Sequence, residues 1–190
     1  MNSRDSALGA RHSAGPREAD ASRGSPDGRA PSAEHRVSVR QATLADLDVV
    51  VELRIALLRE HGNNPVYSRL RADAASRARP LFSQQLQSTD EAIYLAERDG
   101  RALGILRCVD AVGSPLLYPA RYAYVSSVYV VPSARRAGVL RALMASAVRW
   151  SESRGLREIR LHNASDNPLA NAAWQALGFE VVEQLRVKTL

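Results

Sequence analysis

The chain has 190 residues, 45% of them hydrophobic, and its 26 basic and 20 acidic side chains give a formal net charge of +6. That length allows one folded domain with a tail, and no apolar run approaches the roughly 18 residues of a membrane-crossing helix. The single cysteine, Cys108, excludes an intramolecular disulfide framework and a cysteine-rich zinc site, so no metal is expected, and it fits a reducing, cytoplasmic setting.

Residues 1–36 carry Arg at about every sixth position among Ser, Ala, Gly and Pro, with almost no large apolar side chain. Such a stretch cannot bury enough surface to offset its ordering entropy and is predicted to be a disordered tail. It lacks the apolar core of a secretory signal, and Asp5, Glu18, Asp20, Asp27 and Glu34 argue against an organellar transit peptide. The folded domain is expected over 37–190. Ser38 to Ala42 reads as a first strand; Thr43 with Asp46 resembles a capping box that opens a helix to about Glu60, with Leu47, Val51, Ile55 and Leu58 inward. Gly62-Asn63-Asn64-Pro65 ends it, and a weaker helical stretch runs from about Leu70 to Leu86, interrupted at Pro80.

Ala92 to Arg98 and Arg101 to Asp110 read as strands joined by Asp99-Gly100, a strong hairpin signal. Cys108 falls on the second as a small buried residue. A loop over 111–121 leads into a Tyr- and Val-rich strand over 122–131. Pro132 ends it, Ser133 to Gly138 supply a turn, and Leu140, Leu143, Met144, Ala147 and Val148 then recur at helical spacing. Gly155 is a natural helix stop, Arg157 to His162 alternate as a strand, and Pro168 opens a last helix. Phe179 is expected to start one or two final strands ending near Leu190. The order β-α-α-β-β-β-α-β-α-β predicts an α+β sandwich around a mixed sheet.

The turn before the helix at Leu140 has a chemistry of its own. The first N–H groups of a helix lack internal acceptors, and the helix dipole adds positive charge there. A pyrophosphate satisfies both if no side chain blocks its approach, which Gly138 ensures, and Arg135, Arg136 and Arg141 add charge around the same point. The alternative is a plain connection with a solvated Arg cluster. The remaining basic residues are scattered, with no basic helix interleaved with aromatics, so a nucleic-acid or other polyanion partner is motivated by charge alone.

Arg135-Arg136-Ala137-Gly138-Val139-Leu140, after a strand ending Val-Tyr-Val-Val-Pro, resembles the Gln/Arg-x-x-Gly-x-Gly/Ala acetyl-CoA loop of the GCN5-related N-acetyltransferase (GNAT) superfamily. Asn167-Pro168-Leu169-Ala170, Trp174 and Leu177-Gly178-Phe179 resemble that superfamily's Asn-x-x-Ala…Tyr-x-x-x-Gly-Phe segment. The likeness covers roughly 38–190 and implies a three-layer α/β/α sandwich around a mixed, mostly antiparallel sheet of six to seven strands with splayed central strands. It also implies acetyl-CoA as co-substrate, bound by Val128, Tyr129, Val130, Arg135, Arg136, Ala137, Gly138, Val139, Leu140, Arg141, Asn167 and Trp174. The reaction implied is direct acetyl transfer to a primary amine, of a small molecule before a protein, and a homodimer is compatible with it.

Three positions depart from the superfamily pattern. Leu140 stands at the last loop position, Trp174 where a general-acid Tyr is frequent, and Ser126 and Ser127 where many members carry a carboxylate. The candidate catalytic residues are therefore His162, Tyr122 and Glu97, with Glu60 or Asp110 acting through water and Tyr118, Tyr124 and Tyr129 as further acids. The same departures motivate a rival reading, a CoA-binding protein with weak catalysis.

Overall fold

The computed structural model describes residues 36–188 and 190; the tail expected over 1–36 lies almost wholly outside them. Strand β1 (Ser38–Gln41) leads through Thr43 into a 3-10 turn, Leu44–Asp46, and helix α1 (Leu47–Glu60). The Asp46 carboxylate accepts from the Thr43 N–H at 2.8 Å and its hydroxyl at 3.1 Å, which fixes the helix entry. Arg40 bridges the same carboxylate to Glu97, at 2.7 Å each, and so ties the entry to the next strand.

Helix α2 (Ala74–Gln87) runs through Pro80, where the sequence predicts an interruption. The proline removes one ladder donor, but Ala78 and Phe82 bury on either side of it and hold the segment against the sheet. Strands β2 (Glu91–Arg98) and β3 (Arg101–Val112) form the expected hairpin, with Asp99 and Gly100 both at positive φ (52° and 71°) as a tight primed turn requires. Then come β4 (Arg121–Val130), a 3-10 turn at Pro132–Ala134, α3 (Val139–Ser153), β5 (Ile159–Leu161) and α4 (Pro168–Ala176).

The sheet order is β1-β2-β3-β4-β5, antiparallel throughout except for the parallel pair of β4 and β5. Its two faces carry separate cores. Val50, Val51, Leu53 and Ile55 of α1 and Phe82 of α2 pack on Ile93, Leu95 and Ile105. On the other face Val139, Leu143, Met144 and Ala147 of α3, with Trp174 of α4, pack on Ala96, Leu106, Cys108 and Val125. Gly104 of β3 lets these layers approach: a Cβ there would lie 2.7 Å from the Tyr129 carbonyl and 3.3 Å from Leu143.

The sheet has five strands among the described residues, not six to seven. The residues after Phe179 include three valines and Leu185, side chains that suit a strand, yet Val181, Val182 and Leu185 stand 80%, 91% and 80% exposed and form no strand among the described residues. A valine-rich stretch supplies strand propensity without supplying a partner. The available edge, β5, spans three residues.

Candidate active site

Strand β4 is the spine of the site. Its register against β3 shifts between Ile105 and Arg107, and Ser127 there has a φ of 52°, so one extra residue is taken up as a bulge. Val131 donates to Leu103 of β3 at 2.9 Å, so by strand alternation Val130 turns its N–H to the opposite side, and Val128 with it. On that side β5 pairs with Ala123 to Val125 only. From Ser126 onward no strand pairs with this edge of β4 among the described residues, and a cleft of about 870 Å³ opens along it.

At one end of the cleft stands the turn into α3. Gly138 has a φ of 79°, and a Cβ there would meet nothing within 4 Å, so the space before the helix is open. The bond from Ala142 N–H to the Gly138 carbonyl (3.0 Å) opens the helix ladder, leaving Val139, Leu140 and Arg141 N–H groups ahead of it. Arg136 and Arg141 line this end without an ion pair among the described residues, but Arg135 is engaged. Its guanidinium holds both Glu60 oxygens (2.7 and 2.5 Å) and donates to the Val130 carbonyl at 3.1 Å, clasping α1 to the end of β4. Asn167 caps α4 by accepting from Ala170 N–H at 3.0 Å, and its amide NH₂ keeps no acceptor among the described residues. These features fit a pyrophosphate and its amide-bearing arm.

At the other end the Tyr124 hydroxyl lies 2.9 Å from His162 Nδ1. Burial pushes the Tyr124 phenol above its ordinary value. Arg107 holds Glu91 at 2.7 Å and reaches Ser126 Oγ at 3.2 Å. Arg54 of α1 faces the same space, together with Tyr67 and Phe82. Trp174 closes a wall, packed edge-on against Phe179 with ring centroids 5.5 Å apart.

Of the twelve residues expected around acetyl-CoA, all but Ala137 line the cleft. His162 lines it too, with Tyr124, Tyr129 and Glu60. Tyr122, Glu97, Tyr118 and Asp110 do not: Arg160 covers the Tyr122 ring at 4.0 Å, Arg40 holds Glu97, Tyr118 is 98% exposed on its loop, and Arg121 and Arg154 bind Asp110. Cys108 is fully buried on the far core, its thiol pushed up to about 12 by desolvation. Sequence reasoning passed over Arg54 and Arg107. Both carried a signal: Arg54 falls at helical spacing between inward Val51 and Leu58, and Arg107 falls two residues after buried Ile105, on the same face of its strand.

The acetyltransferase (GNAT) family matches residues 57–179. Aminoglycoside N(6')-acetyltransferase type 1 of Salmonella typhimurium is 31% identical over 103 residues, 53% of this chain and 70% of that protein. The enzyme of the same name from Stenotrophomonas maltophilia is 28% identical over 152 residues, 78% of this chain and 89% of its own. Among solved structures, aminoglycoside N-acetyltransferase AAC(6')-Iy in complex with CoA superposes with a TM-score of 0.69 at 23% identity, covering 85% of this chain and 98% of that one. A predicted acetyltransferase from Clostridium acetobutylicum, with acetyl-CoA, gives 0.68 at 19% identity, covering 80% and 96%. The matched span runs from the end of α1 through β4, the Gly138 turn and α4, the elements that wall the cleft, and the chain belongs to the acetyltransferase (GNAT) family of acyltransferases.

Proposed function

We propose that this chain transfers the acetyl group of acetyl-CoA directly to the primary amine of a small molecule, both substrates being bound in the one cleft. The observation that carries the reading is continuity: the open α3 N-terminus at Gly138, the free edge of β4 and the Tyr124–His162 pair follow one another along one cavity. The pyrophosphate would sit on the N–H groups of Val139 to Arg141 with Arg136 beside it. The arm would extend along Val128 and Val130, with Asn167 donating from the far side.

Acetyl-CoA supplies a thioester carbonyl. As the amine nitrogen bonds to that carbon, the Val130 N–H meets the charge developing on the carbonyl oxygen. The carbon–sulfur bond breaks; the amine's surplus proton passes to His162, and the departing thiolate takes a proton from Tyr124. A phenol kept neutral by burial suits that last role, which Trp174 lacks the chemistry to fill.

The test is thermal melting of the full chain with millimolar acetyl-CoA, followed by release of free thiol on adding amines. A ligand held only by the native state raises the melting temperature by mass action. A shift with thiol release supports the reading; a shift without release across many amines leaves a CoA-binding protein, and no shift overturns both.

A further inference from the structure

The cleft has an electrostatic asymmetry that bears on which amine it takes. Five guanidinium groups line it (Arg54, Arg107, Arg135, Arg136 and Arg141), and one carboxylate, Glu60. Glu60 is already consumed by Arg135, and Arg107 is matched by Glu91. Arg136 and Arg141 stand at the helix N-terminus where phosphates are expected. That leaves Arg54 as the unmatched charge of the other half.

Arg54 lies six residues before Glu60, about 9 Å back along α1 at 1.5 Å per residue, and so away from the phosphate end. The groups that act on its charge are Tyr67, Arg107 and Tyr124, the last being the residue paired with His162. It makes no hydrogen bond or ion pair among the described residues, although burial is the dominant influence on it. A half-buried cation facing a cleft without a counter-charge is left with water alone, and an arginine keeps its proton. A ligand that brings a carboxylate relieves this, and the planar guanidinium matches a carboxylate through two parallel hydrogen bonds. A polycationic acceptor would meet the opposite situation: repulsion from Arg54 and no free carboxylate in the cleft to receive a second ammonium.

We infer that the acceptor is an amine that also bears a carboxylate, anchored by Arg54 with its amino group presented to the Tyr124–His162 pair, and not a polyamine such as an aminoglycoside. The inference rests on the acetyltransferase reading of the same cleft and adds the substrate class to it.

Matched acceptors test it. With acetyl-CoA saturating, thiol release is measured for 4-aminobutyrate against putrescine, for phenylalanine against phenethylamine, and for kanamycin. The carboxylate member of each pair is expected to have a kcat/KM at least tenfold higher, with kanamycin below both. Arg54→Gln is expected to raise KM for the carboxylate amines at least tenfold while the affinity for acetyl-CoA, read from the melting shift, stays unchanged; Arg54→Lys should retain part of the preference. Equal or faster turnover of putrescine, phenethylamine or kanamycin overturns the inference. So does a preference that survives Arg54→Gln, or the absence of turnover for every carboxylate amine. Each of these leaves the acetyltransferase reading standing if the acetyl-CoA shift is present and at least one of the amines releases thiol. The wild-type comparison needs no variant to fold.

Discussion

Tyr124 lies on β4 and His162 directly follows β5, and they meet because those strands are parallel neighbours over three residues; the 2.9 Å contact makes them one unit. The phenol's role depends on its staying protonated. Burial raises its value above 10.0, so the acid form persists through neutral and mildly alkaline pH and is lost only as pH climbs through the raised value. Any fall in kcat assignable to this group is therefore expected above pH 10.0, in a pH profile taken at saturating acetyl-CoA. Tyr124→Phe should lower kcat by about 10² to 10⁴, the usual worth of a positioned acid, with the acetyl-CoA melting shift unchanged. Cys108 shows the converse at the same scale: a thiol raised to about 12 and fully buried has neither the thiolate nor the access for acyl transfer.

Among the elements, the turn into α3 concentrates the chemistry proposed for binding acetyl-CoA. Gly138 at a φ of 79° faces open space, so a carboxylate there would both strain the backbone and put negative charge on the helix N-terminus. Gly138→Asp and Arg136→Glu are expected to abolish the acetyl-CoA melting shift, in proteins whose circular dichroism matches the parent. A normal shift in either folded variant would remove the phosphate from this turn. Arg135 is a different kind of residue despite its place in the same run. Held by Glu60 and the Val130 carbonyl, it fixes where α1 ends relative to β4, and so sets the width of the cleft between them.

Across the described residues, each face of the sheet has its own core. Leu143 is fully buried between α3 and β3, close to where Gly104 lets the layers meet. Leu143→Ala should cost about 2–5 kcal/mol in a denaturant titration, the range for a leucine removed from a packed core, because neither strand nor helix can collapse into the gap. An apo loss under about 1 kcal/mol would mean that this face is loosely packed.

Local chemistry made much of this legible from the chain alone. The Asp99-Gly100 hairpin, the stop at Gly155 and the turn at Gly138 depend on positive φ that few residues adopt, and the entry at Thr43 and Asp46 on a local side-chain cap, so neighbouring residues specify them. The loop proposed for acetyl-CoA is read from a contiguous stretch for the same reason. Other features depend on partners distant in sequence, and only the tertiary structure decided them. The valines after Phe179 could not reveal that no edge among the described residues pairs with them, and Pro80 could not reveal that Ala78 and Phe82 would carry α2 past it. Glu97 and His162 are both candidate bases in the sequence, His162 the favoured one; folding gives Glu97 to Arg40 and His162 to Tyr124. Arg54 and Arg135 are likewise both arginines near an expected cleft, and they differ only because Glu60 reaches one of them. A side chain's charge is written in the sequence, whereas whether that charge is already spent depends on what the fold sets within 3 to 4 Å of it.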